Sequence, residues 1–146
     1  MLRFERITPD NYRECTWLKV AEDQTGQVKT VAKSLAEAYA YYDTSRPYAI
    51  YDDQVMIGFL LLRELADLNC YYLSQFMIDE RFQGKGNGKQ AMRLLLGMLQ
   101  QEKKYPRIDL CYKEGNSVVE RLYQEIGFKH TGERDGTDVM MSLDIA

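Results

Sequence analysis

The chain has 146 residues, 45% of them hydrophobic, which is enough to bury the core of one compact domain over 1–146 without calling for a second. A balance of 22 acidic against 19 basic side chains with no basic stripe argues against a nucleic-acid partner, and no membrane-spanning run or leader-like start is present, so a cytoplasmic protein is expected. Cys15, Cys70 and Cys111 are odd in number and widely spaced, which fits neither a disulfide frame nor a zinc site, and with a single histidine no metal is expected.

Leu2, Phe4 and Ile7 give a short strand, and Thr8-Pro9-Asp10 reads as a cap with proline in the first turn, predicting a helix over 9–20. The polar stretch 22–33 carries no clear pattern. Ser34-Leu-Ala-Glu37 fits a capping box opening a second helix through residue 42. Apolar runs over 47–51 and 55–62 flank Asp52-Asp53-Gln54 as an antiparallel hairpin, and the aromatic and branched stretch 70–78 reads as a central strand. Met92, Leu95, Leu96 and Leu99 repeat at helical spacing as far as Lys103, and Pro106 precedes a strand over 107–112. Asn116 or Ser117 caps a helix carrying Val118, Val119, Leu122 and Ile126, closed by Gly127. Strands over 128–133 and 139–145 around Asp135-Gly136 form a closing hairpin. Strands and helices interleaved in this order predict an α/β (α+β) mixed sheet with helices on both faces.

Between the central strand and the helix after it lies Phe82-Gln-Gly-Lys-Gly-Asn-Gly-Lys-Gln90, with glycines at 84, 86 and 88. Glycines permit positive φ and close backbone approach, so successive N–H groups converge on an anion at the positive end of the helix. A Walker loop does not fit, because Gly84 and Gly88 bracket three residues and Gln90 follows Lys89 where Ser or Thr is required. A dinucleotide fingerprint at Gly86, Gly88 and Ala91 is a closer rival. It requires a tight turn after the strand, yet Ile78 ends the strand pattern well before Gly86, and too little chain remains for a doubly wound sheet.

Gln83-x-x-Gly86-x-Gly88 behind a strand ending Phe-Met-Ile, then Asn116, then Leu122-Tyr123 ahead of Gly127-Phe128, resembles the GNAT acetyltransferase superfamily. Within it the chain is similar to bacterial spermine/spermidine (diamine) N-acetyltransferases through Trp17-Leu-Lys-Val, Ser34-Leu-Ala-Glu-Ala, Ala49-Ile-Tyr-Asp-Asp and Phe76-Met-Ile-Asp. The resemblance implies a mostly antiparallel sheet of about seven strands with about four helices. It also implies transfer of an acetyl group from acetyl-CoA to a primary amine of a polyamine by direct attack in a ternary complex, and a homodimer. Another amine as acceptor, such as an amino acid, antibiotic or protein N-terminus, and a non-catalytic CoA-binding regulator are the alternatives.

By the same resemblance the cofactor diphosphate sits on the main chain of Gln83, Gly84, Lys85, Gly86, Asn87, Gly88 and Lys89, with both lysine side chains secondary. The backbone of Phe76, Met77 and Ile78 pairs with the pantetheine amides as an added strand. Asn116 either bonds the pantetheine arm or simply caps its helix, and Tyr123 is the catalytic acid for the departing thiolate. A phenol of ordinary pKa about 10 is neutral at pH 7 and can protonate a thiolate whose thiol lies near about 8.5. Glu22, Asp23, Glu37, Tyr41 and Gln75 are the candidates for binding the acceptor. The family often places an acid or a Trp-Arg pair on the central strand, where this chain has Ser74 and Gln75, so the base that deprotonates the amine is unassigned.

Overall fold

A computed structural model describes residues 1–20 and 29–146. The elements run β1 (Leu2–Arg6), α1 (Tyr12–Thr16), α2 (Val31–Ala40), β2 (Ser45–Asp52), β3 (Val55–Leu65), β4 (Cys70–Ile78), α3 (Asn87–Glu102), β5 (Arg107–Lys113), α4 (Ser117–Ile126), β6 (Lys129–Asp135) and β7 (Asp138–Asp144). The seven strands form one sheet in the order β1-β2-β3-β4-β5-β7-β6, antiparallel except for the β4–β5 pair. The mixed, mostly antiparallel sheet expected from the sequence is therefore present, with the same order of elements.

One apolar cluster joins α3 and α4 to Leu60, Leu62, Tyr71, Leu73, Ile108 and Leu110, and a second joins α1 and α2 to Phe59, Leu61 and Met77. From Phe59 to Leu62 successive β3 residues alternate between two covered faces, and Met56 and Ile57 each join one of them, which is why 56–62 is buried throughout and reads as a continuous apolar run.

Helix boundaries depart from the sequence reading at α1 and α2. The 9–20 helix shrinks to Tyr12–Thr16 because Asn11 ties the preceding turn, accepting from Thr8 N at 2.8 Å and donating to the Arg6 carbonyl at 3.0 Å. Beyond it, Lys19 N donates to Asp79 Oδ2 at 3.1 Å and its carbonyl accepts from Glu80 N at 2.8 Å, which draws the chain out of the helix. In α2 the cap is Thr30, whose Oγ1 accepts from Lys33 N at 3.1 Å. Ser34 lies inside the helix and donates to Gln75 Oε1, so the capping box around Ser34 and Glu37 is corrected.

The relationship that shapes the site is a bulge in β4. Leu61 pairs with Gln75 and Leu62 with Leu73, leaving Ser74 as an extra residue. Parallel pairing with β5 runs from Tyr71↔Ile108 to Leu73↔Leu110 and stops there. Past the bulge β4 keeps its bonds to β3 while its other edge has no strand partner among the described residues, and the two central strands separate.

Candidate active site

After β4, Asp79 holds the bend: its carboxylate, 2% exposed, accepts from Arg81 N at 3.0 Å, Arg81 Nε at 2.8 Å and Lys19 N. Gln83 Nε2 donates to the Ile78 carbonyl at 2.8 Å and Asn87 Nδ2 to the Phe82 carbonyl at 3.1 Å, so both side chains brace the loop from within. Gly84 and Gly86 take φ of 76° and 82°, values that favour glycine, and no atom lies within 4 Å of where a Cβ would stand on either. Gly86 is the N-cap of α3, whose first-turn N–H groups have no acceptor within the helix. Gly88 does not use positive φ. Its missing Cβ would face Leu122 Cδ2 at 3.5 Å, so it serves close packing of α3 on α4.

The loop, the open edge of β4 and α4 enclose a cavity of about 350 Å³. Phe76, Met77, Ile78, Gln83, Gly84, Gly86, Asn87, Gly88, Lys89, Asn116 and Tyr123 all line it, so it brings together every expected cofactor-binding residue except Lys85. Lys85 Nζ instead lies 5.9 Å from the centre of the Phe82 ring, and Lys89 pairs with Glu125 at 3.4 Å. Val118, Arg121, Leu122 and Glu125 also line the cavity. They form a stripe at helical spacing on α4, a signal usable only once that face is known to look at the loop.

On the other side of the separated strands a second cavity of about 460 Å³ is lined by Lys29, Lys33, Tyr72, Ser74, Gln75, Cys111, Lys113 and Asp138. The two cavities share Phe76, Asn116, Val119 and Tyr123. Tyr123 is 5% exposed, and burial pushes its phenol well above the usual value, with the nearby Cys111 adding to the effect. Asn116 Oδ1 accepts from Val119 N at 3.3 Å, so it caps α4 while standing at the junction of the cavities.

The acceptor candidates separate. Glu22 and Asp23 lie outside the described residues. Tyr41 is outside both cavities, 53% exposed, with the Arg63 guanidinium 4.0 Å over its ring. Gln75 lines the second cavity, but its amide is held between the Ser34 hydroxyl and the Lys29 carbonyl, the latter at 2.6 Å. Glu37 stands just behind the cavity wall. Its Oε1 accepts from Lys29 Nζ at 2.8 Å and its Oε2 from Ser74 Oγ at 2.7 Å, with Arg63 at 4.0 Å. Burial raises the Glu37 carboxyl, but the bonds from Lys29 and Ser74 outweigh it and leave it below its ordinary value. Lys29, which the sequence reading did not single out, also donates to Ser74 Oγ at 2.7 Å.

Comparison with known proteins places this geometry. The sequence model of the acetyltransferase (GNAT) family matches residues 9–128. The chain belongs to that family. It is 33% identical over 150 aligned positions to a spermine/spermidine N(1)-acetyltransferase of Bacillus subtilis (strain 168), covering 96% of this chain and 97% of the relative. The GNAT fold is shared with a spermidine N-acetyltransferase of Vibrio cholerae solved with CoA and spermine, at TM-score 0.78 and 17% identity over 98% of this chain and 95% of the other. A ribosomal-protein-S18-alanine N-acetyltransferase from Escherichia coli superposes nearly as well, at TM-score 0.77 and 15% identity over 100% and 95% of the two chains. Fold likeness therefore leaves the acceptor undecided between GNAT enzymes.

Proposed function

We propose that the protein transfers an acetyl group from acetyl-CoA to a primary amine of a polyamine such as spermidine, spermine or a related diamine. The observation that carries the reading is the meeting of two cavities at Tyr123, one walled by the glycine loop and the other by Ser74 and Lys29. The loop suits a diphosphate: there is open space above Gly84 and Gly86, and the free N–H groups of the first turn of α3 lie beside it. The edge of β4 past Leu73, which pairs with no strand among the described residues, offers main-chain donors and acceptors to an amide-bearing arm.

Acetyl-CoA supplies the activated thioester. The N–H groups of 83–89 hold its charged end, the edge at Phe76, Met77 and Ile78 orients the arm, and Asn116 steadies the entrance to the junction. Tyr123 Oη, protonated through the working pH range, donates its proton to the departing sulfur. The polyamine acceptor comes from likeness to the Bacillus relative over nearly the whole chain. One observation favours a second reading: three lysines and one aspartate line the acceptor cavity, a balance that suits an amine carrying a carboxylate, such as an amino acid. The proposal treats the chain as one acetyltransferase domain in the cytoplasm, a location in keeping with three free cysteines. A homodimer belongs to the same reading by resemblance alone.

An amine panel followed by release of free thiol tests the assignment. Turnover with spermidine and spermine above that with amino acids and an N-terminal peptide supports it; turnover confined to the amino acids or to the peptide overturns it.

A further inference from the structure

The three lysines of the acceptor cavity are at odds with a polycationic acceptor unless some of them stand where the substrate goes. We propose that the Lys29 ammonium fills, in the free protein, the subsite at which Glu37 and Ser74 receive an ammonium group of the polyamine, so that the acceptor enters by displacing Lys29. This rests on the polyamine reading and names how that site selects its substrate.

The bonding around Lys29 is that of a bound alkylammonium. Its Nζ donates to Glu37 Oε1 at 2.8 Å and to Ser74 Oγ at 2.7 Å, while the Ser74 proton goes to Glu37 Oε2 at 2.7 Å. Ser74 thus spends its one proton on the acid and offers a lone pair to the cation. The end of a lysine side chain and the end of a diamine are the same group, a methylene bearing NH₃⁺, so either satisfies both acceptors equally. Glu37 is paired before and after the exchange, with Arg63 4.0 Å from its other oxygen, and its side chain is 25% exposed, so water reaches it in the interval.

The chain also separates the Lys29 side chain from its backbone. Gln75 Nε2 fixes the Lys29 carbonyl at 2.6 Å, and Lys29 precedes the Thr30 cap, outside α2. Release of the ammonium therefore disturbs neither the helix cap nor the wall of the cavity. The displaced group is a flexible, strongly hydrated cation, which enters water at little cost.

Position along β4 joins this subsite to the chemistry. Ser74 and Phe76 are two residues apart on one strand, roughly 7 Å along it, and Phe76 lies where the cavities meet at Tyr123. An ammonium seated between Glu37 and Ser74 thus leaves a second amine, a short methylene chain away, at the junction. A monoamine cannot fill the subsite and the junction at once.

The test uses Lys29→Met and Glu37→Gln, with Lys29→Gln as a second replacement, in calorimetric titration with spermidine and in steady-state kinetics with spermidine and butylamine. If Lys29 leaves the subsite free in about one molecule in ten, its removal tightens spermidine binding about tenfold. Glu37→Gln weakens spermidine binding, the double variant follows Glu37→Gln, and both changes shift KM for spermidine more than KM for butylamine. Spermidine affinity unchanged or weakened in both Lys29 variants, with the wild-type protein acetylating spermidine normally, overturns the displacement alone. Absence of spermidine binding in wild type and Lys29 variants alike overturns the polyamine reading with it.

Discussion

The Tyr123 ring packs against Phe128 with centroids 5.6 Å apart and planes at 56°, while among the described residues its hydroxyl has no hydrogen-bond partner. Packing, not hydrogen bonding, holds the phenol at the junction, so Tyr123→Phe preserves its position and removes only the proton. The expected result is a kcat lower by about 10²–10⁴-fold with CoA affinity unchanged, read by thiol release and calorimetry. Equal loss in CoA binding would make Tyr123 a wall of the cavity instead of its acid.

The same burial sets a pH signature. Because the Tyr123 phenol is raised above its usual value of about 10, it keeps its proton across neutral and mildly alkaline pH. The kcat profile with saturating amine is expected to show no alkaline decline from this group below about pH 10. A downturn near pH 8 that disappears in Tyr123→Phe would contradict the assignment.

Most of the fold was legible because its elements carry separate local signals. The 70–78 strand matched β4 (Cys70–Ile78) to the residue, since dense aromatic and branched side chains bounded by polar bends admit little else. The α1 and α2 boundaries were misjudged where tertiary bonds overrode local preference: Asp79 captures the Lys19 N–H, and Ser34 turns inward to Gln75. In the candidate site, the cavity positions of the glycine loop, Asn116 and Tyr123 were readable because main-chain geometry and motif spacing are written locally. The Ser74 bulge and the meeting of Lys29 and Glu37 at Ser74 were not, for they depend on register between β3 and β4 and on contacts between residues 45 and 37 apart in sequence.

Asp79 couples the loop to stability. Burial alone raises its carboxyl, but the bonds from Arg81 and Lys19 outweigh that and hold it below the ordinary range. A carboxylate depressed in the folded state stabilises fully above its unfolded value of about 3.9, and that stabilisation is lost as pH falls through the folded value. Asp79→Asn is expected to cost about 1–3 kcal/mol in urea unfolding at pH 7, with the difference from wild type narrowing below about pH 4. A gap independent of pH would mean that the charge contributes nothing.

Two glycines of the loop are expected to respond in opposite ways. Gly86→Ala forces a side chain into φ of 82°, costing about 1–2 kcal/mol, and weakens CoA binding about tenfold by displacing the N–H groups next to it. Gly88 lies within α3, where its Cβ would make an ordinary contact with Leu122 at 3.5 Å, and alanine is the better helix former. Thermal melts should therefore fall for Gly86→Ala and hold or rise for Gly88→Ala. Equal losses would remove the distinction between a conformational and a packing glycine.

The extra residue in β4 offers the sharpest test of how the site is built. Leu73 faces the α3 and α4 side and Gln75 the α2 side, so removing Ser74 alone makes them consecutive and restores regular alternation against Leu62 and Leu61. Nothing downstream changes face, and the deletion is expected to fold. Regular pairing then allows β4 to continue beside β5 beyond Leu73↔Leu110, closing the separation into which the cofactor arm would pair. The expected protein keeps its far-ultraviolet circular dichroism, binds CoA at least about tenfold more weakly and has no measurable acetyl transfer. Ser74→Ala, which keeps the extra residue and loses only its hydroxyl, should bind CoA as the wild type does. If the deletion binds CoA normally, the open edge of β4 does not hold the cofactor, and the separation of the strands has another cause.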